Sequence, residues 1–119
     1  MKLIIAGSRD LLVDADFVDQ AIKFFRLDVE EVVSGGGGNV DESGEDWSNW
    51  HLEKEPKIFK ANWSQEGIAA GPIRNSKMAE YADALLLIWD GSSKGSSSMK
   101  KEMQKRKKPI YEVILRMSV

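Results

Sequence analysis

Several groups of residues in this chain are spaced so that they could handle a phosphorylated ligand. Gly35 to Gly38 run unbroken behind the apolar Val32-Val33-Ser34 and ahead of a stretch with helical character. Glycine lacks a Cβ, so its amides can be turned toward an anion, and the positive end of a following helix favours the same charge. Ser92 to Ser98 offers hydroxyls and amides ahead of another helix, with Ser96 or Ser97 as the expected N-cap. Arg74-Asn75 lies in the first turn of a further helical stretch, where a planar guanidinium can grip phosphate through two parallel hydrogen bonds. Arg9, just past the first apolar run, reads the same way. Asp41 and Glu45 are spaced i, i+4 and share one helical face, where carboxylates could accept ribose hydroxyls, do acid/base work or simply favour the helix dipole.

The commonest nucleotide signatures are absent. A G-x-G-x-x-G register started at Gly35, Gly36 or Gly38 fails because its last position falls on Val40, Asp41 or Ser43. Neither Gly91 nor Gly95 begins the spacing of a Walker A loop. His51 is the sole histidine and has no serine or cysteine partner at a recognisable spacing, and there is no cysteine for a thiol nucleophile, a disulfide or a thiolate zinc site. We expect neither a metal nor a cofactor. Trp47, Trp50, Trp63 and Trp89 read as core or pocket wall, with Trp63 or Trp89 placed near a strand edge where it could pack against a base.

The elements that must position these groups follow from hydrophobic pattern. Leu3-Ile4-Ile5-Ala6 is continuously apolar, as suits a strand covered on both faces, and runs into Gly7-Ser8-Arg9-Asp10. Val13, Phe17, Val18, Ala21, Ile22 and Phe25 predict a helix over Ala15 to Leu27, capped by Asp14 or Asp16. Glu31 to Ser34 is a second strand, followed by a helix near Val40 to Leu52, and Lys57 to Lys60 a third strand. Pro72 fits a first helical turn ahead of Met78, Tyr81 and Ala82. Ala84 to Trp89 is a fourth strand that empties into Asp90-Gly91, Met99 and Met103 face inward on a helix, and Pro109 to Ile114 is a fifth strand. Strands alternating with helices imply right-handed crossovers and a Rossmann-like, doubly wound α/β fold: a mainly parallel five-stranded sheet with helices on both faces. The loops after strands one, two and four then share the carboxyl edge, where such sheets bind ligands.

At 119 residues we expect a single domain spanning 1–119, with no internal repeat. The net charge of −2 and mixed signs argue against an electrostatic nucleic-acid binder. The basic residues between Lys100 and Lys108 are expected on a solvated face. The apolar run at Leu3 is too short for a signal peptide or membrane span, which leads us to expect a cytoplasmic protein without membrane attachment.

The ordered segments AGSRD, SGGGGNVDESGEDW, NWSQEGIAAGPIRNSKMAEYAD and WDGSSKGSSSM together resemble the SLOG superfamily of Rossmann-like nucleotide-binding domains, in particular its small YspA/YpsA-related branch, over nearly the whole chain. The resemblance implies a pocket for a nucleotide or nucleotide-derived ligand, serving signalling or sequestration. Around it would stand Gly7, Ser8, Arg9, Gly35, Gly36, Gly37, Gly38, Asp41, Glu45, Arg74, Asn75, Asp90, Gly91, Gly95 and Ser96. Enzymes of the superfamily, the Lonely-guy type phosphoribohydrolases, release a base from a nucleoside monophosphate, with an Arg-Lys pair opening a helix and a PGGxGTxxE loop. Arg74-Asn75 resembles the first, and Asp90 to Ser96 resembles the second. The loop's glutamate is missing, since serine and methionine stand in Gly95-Ser96-Ser97-Ser98-Met99 where it should fall. An alternative reading as an N-glycosidic hydrolase therefore needs Glu45 as its catalytic carboxylate. DprA-like relatives bind single-stranded DNA, a weaker expectation because basic residues do not line the glycine edge. Relatives of this kind often self-associate, and Trp50 or the Met99 helix would be the surface facing a second copy.

Overall fold

The strand-forming runs are apolar on both sides because both sides are covered. The computed structural model describes residues 1–116. β1 (Lys2–Gly7), β2 (Glu31–Ser34), β3 (Lys57–Ile58), β4 (Ala84–Trp89) and β5 (Ile110–Ile114) form one sheet in the order β3-β2-β1-β4-β5, and every pairing is parallel. Successive residues of a strand point to opposite faces. Leu3, Ile5, Val32, Leu86 and Ile88 therefore pack on one face under α1 (Ala15–Phe24) and α2 (Asn39–Trp47). Ile4, Val33, Leu85 and Leu87 pack on the other, under α4 (Ala70–Tyr81) and α5 (Lys94–Lys105), with Met78, Met99 and Met103 turned inward. The short α3 (Trp63–Glu66) leads into α4. Each fully buried Leu, Ile or Val contributes about 1.5–3 kcal/mol relative to an exposed one. The molecule is a Rossmann-like, doubly wound α/β fold with helices on both faces, and among the described residues no helix is long and apolar enough to cross a membrane.

The chain moves outward from β1 through β2 to β3, then returns to place β4 on the other side of β1. The loops leaving β1 and β4 diverge, which opens a crevice at their carboxyl ends.

Four of the element boundaries that differ from the sequence expectation do so for local physical reasons. α1 stops at Phe24, short of Leu27, because Arg26 takes a left-handed φ of 56° and the Leu27 amide turns back to the Ile22 carbonyl. Its N-cap is Asp14, whose Oδ1 accepts from the Phe17 amide at 2.8 Å. α2 ends at Trp47 and widens into a π-helical turn, Ser48–Leu52. β3 keeps two paired residues, although the Phe59 amide still reaches the Ser34 carbonyl at 2.9 Å. α5 is capped by Ser93, not Ser96 or Ser97. The Asp90 carboxylate accepts from the Ser92 and Ser93 amides at 2.8 and 3.0 Å, and this tight turn brings Ser93 Oγ under the Ser96 amide.

Much of the basic cluster is engaged within the fold. Lys108 donates to the carbonyls of Ala79, Glu80 and Ala82 at 2.7–2.9 Å, closing the end of α4 where a cation is favoured. Lys100 pairs with Glu112, and Lys105 and Arg106 both hold Glu102.

Candidate functional site

The loops that leave β1, β2 and β4 converge with the starts of α4 and α5 on a cleft of about 200 Å³ at the reversal of strand order. Of the residues singled out in the sequence, Gly7, Arg9, Gly35, Gly37, Asp41, Arg74, Asn75, Gly95 and Ser96 line it. Ser8, Gly36, Gly38, Glu45, Asp90 and Gly91 do not. Ser93 joins them from the Ser92 to Ser98 loop, and Ala6, Met78 and Met99 complete the wall without having been anticipated. Met78 and Met99 were legible as inward-facing helix residues, and only the topology shows that their turns of helix flank the same crevice.

The glycine run is organised by side chains around it. Arg74 Nη1 donates to the Gly35 carbonyl at 2.8 Å, and a Cβ on Gly35 would sit 3.1 Å from the guanidinium carbon. Gly35 therefore admits Arg74. The Gly36 amide donates to Ser34 Oγ at 3.1 Å and the Gly37 amide to Asp41 Oδ2 at 2.8 Å, so two of the four amides already have acceptors. Gly38 takes a φ of 117°, and a Cβ there would fall 2.8 Å from the Arg9 Cα. That close approach lets the Asn39 amide donate to the Arg9 carbonyl at 3.0 Å, which fixes the start of α2 against the loop after β1.

A relay of polar contacts crosses the floor of the cleft. Arg74 Nε donates to Asn75 Oδ1 at 3.2 Å, and Asn75 Nδ2 donates to Ser98 Oγ at 3.2 Å and to the Gly95 carbonyl at 3.5 Å. Asn75 is buried, so it couples α4 to α5 while Arg74 couples α4 to the glycine loop. Two of Arg74's five N–H donors are used in this way, and the rest are free for a ligand among the described residues. Arg9 is exposed and has no ion-pair partner among the described residues. On the opposite wall, the first-turn amides of α5 lack intrahelical acceptors as at any helix start, and the cap at Ser93 takes up only that of Ser96.

The chain is 32% identical over 85 residues to the Gene 61 protein of Mycobacterium phage D29, an alignment covering 66% of this chain and 67% of that protein. This chain belongs to the family of that phage protein. No family model matches the chain. No solved structure matches it.

In this member of the family the two carboxylates behind the glycines have parted roles. Asp41, one turn into α2, turns toward the cleft and is 7% exposed. Burial pushes its carboxyl up to about 6, against the opposing pull of the Gly37 amide and of Arg74 and Arg9, while Glu45 pushes it further up. Glu45 lies one turn deeper and accepts from the hydroxyl of buried Ser34 at 2.6 Å, which keeps its carboxylate off the cleft wall. Ser8 and Asp90 are fastening groups: Ser8 Oγ accepts from the Asp90 amide at 3.0 Å, tying the loops of β1 and β4 together. The amides of Ser92 and Ser93 hold the Asp90 carboxyl below its usual range.

Proposed function

We propose that this chain binds a nucleotide or nucleotide-derived phosphate at the carboxyl edge of its sheet, for signalling or sequestration, and that its resemblance to the SLOG superfamily reflects that role. The observation that carries the reading is the convergence on one cleft of two guanidinium groups, Arg9 and Arg74, with the open first turn of α5. Cationic forks on one side and helix amides on the other are complementary to a phosphate group. The strand reversal between β1 and β4 puts them where doubly wound sheets take ligands.

The hydrolase alternative has less support, because Glu45 is committed to Ser34 and stands off the cleft. A single-stranded DNA role also loses ground, since Lys100, Lys105, Arg106 and Lys108 are spent on intramolecular partners.

Calorimetric titration with a panel of nucleoside 5′-monophosphates tests the proposal, with chromatography of the same mixtures for free base. Saturable binding without base release is expected. Arg9→Ala, at an exposed position, should weaken it about tenfold. Absence of binding at millimolar ligand would contradict the reading, and base release would favour the hydrolase.

A further inference from the structure

Asp41 commits one carboxylate oxygen to structure and leaves the other without a hydrogen-bond partner among the described residues. Oδ2 is the committed one, accepting from the Gly37 amide at 2.8 Å, and Oδ1 is the other. Although the residue is more than nine-tenths buried, no described buried side-chain oxygen is both sealed from solvent and unsatisfied. Oδ1 therefore keeps some access to solvent, and Asp41 lines the cleft. A carboxylate oxygen can only accept, so the complementary ligand group is a donor. A phosphate placed there would meet a like charge on an amide already occupied.

The opposite wall has the reverse character. There the first turn of α5 offers the Gly95 amide, and Arg9 and Arg74 supply positive charge between that turn and the glycine loop, close enough to Asp41 to pull on its carboxyl. At about 200 Å³ the cleft is smaller than the roughly 300–1,000 Å³ typical of pockets that enclose a whole drug-sized ligand. That volume matches a sugar phosphate better than a whole nucleotide.

From these three observations we propose that the Asp41 corner is a sugar-hydroxyl subsite, so that the ligand is a 5′-phosphorylated ribose unit whose ring hydroxyls face Asp41 and whose phosphate faces Arg9 and the start of α5. The inference rests on the phosphate-binding reading above and adds the ligand's orientation, a preference for ribose over sugars lacking hydroxyls, and weak selection among bases. The glycine run, on this assignment, serves the sugar end by fixing Asp41 and does not cradle the phosphate. The raised carboxyl of Asp41 accords with the same geometry, because a buried acid without a full set of donors gains most from a hydroxyl arriving in the cleft. The charged groups around it are Glu45 on its own helix, Arg74 from α4 and Arg9 from the loop after β1.

The test varies the ligand first, so that folding is not at issue. Wild-type protein is titrated with adenosine 5′-monophosphate, 2′,3′-dideoxyadenosine 5′-monophosphate, uridine 5′-monophosphate and ribose 5-phosphate at pH 7.5. A charge-assisted hydrogen bond predicts that the dideoxy compound binds about tenfold or more weakly, while the other three agree within a few-fold. Asp41→Asn should shrink the dideoxy penalty, and Asp41→Ala should remove it. Lowering the pH through 6 should weaken adenosine 5′-monophosphate binding more in wild type than in Asp41→Asn, since the hydroxyl needs the ionised acceptor. Equal affinity of the ribo and dideoxy compounds would overturn the subsite and leave the phosphate reading standing. So would binding that tightened toward acid in wild type alone, because a phosphate would then occupy the Asp41 corner. Failure of every compound to bind would instead remove the phosphate reading on which the subsite rests.

Discussion

Gly7→Ala is expected to cost more than about 4 kcal/mol, a large share of the roughly 5–15 kcal/mol by which small domains are stable at 25 °C. A Cβ built on Gly7 falls 1.7 Å from the Ile88 carbonyl oxygen and 2.9 Å from Val40 Cγ1. The first of these is backbone in the fully buried β4, paired with β1 through this same position. Neither strand can give way without breaking the pairing at the switch point. Gly95 is the matched control, since a Cβ there meets nothing within 4 Å and the residue lies in the first turn of α5. Gly95→Ala should change stability by no more than about 0.5 kcal/mol. Denaturant unfolding of both variants checks the pair, and a folded Gly7→Ala of near wild-type stability would contradict the packing described for the edge.

Asp41→Asn is expected to stabilise the protein by up to about 3 kcal/mol above pH 7 and to have almost no effect near pH 3.5. The folded carboxyl sits at about 6 against an ordinary value of 3.8, and each pH unit of that gap corresponds to about 1.4 kcal/mol. Below 3.8 both folded and unfolded chains hold the proton, and the full contribution to stability is present. As the pH rises, the unfolded chain ionises while the folded chain keeps its proton, so stability falls until about 6 and then levels off. Asparagine can still accept from the Gly37 amide through its carbonyl oxygen and carries no charge to bury. The depressed carboxyls of Asp19, Asp90 and Glu102 act on both proteins alike, so the difference between the two stability curves isolates Asp41. Chemical denaturation from pH 3.5 to 8 measures it, and parallel curves would show that Asp41 titrates as an ordinary surface acid. A side chain that lowers stability in this way is of the kind retained for binding.

What could be read directly from the sequence was what depends on local pattern. The continuous apolar runs gave β2 and β4 with their bounds, and the alternation of strands with helices gave the parallel sheet and the edge on which the polar loops gather. Contacts between distant segments were not legible. Arg74 reads as a free cation until β2 brings the Gly35 carbonyl, 39 positions away, within 2.8 Å. Asp41 and Glu45 share a helical face, yet only the packing of α2 on β2 shows that one meets Ser34 and the other the cleft. Arg26 ends α1 in a conformation for which glycine is the usual signal, so the stop carried no mark in composition. The Ser93 cap depends on the Asp90 turn, a short-range pattern that a search for the last serine before the helix passes over.

The central claim, that a phosphate sits between the arginines and the start of α5, is tested most directly by amide-resolved NMR during titration with adenosine 5′-monophosphate. The Gly95 amide should shift most and saturate with a single Kd shared by the Arg74 side-chain signals. Shifts confined to residues outside the cleft, or a Gly95 amide that stays in place at saturating ligand, would contradict it.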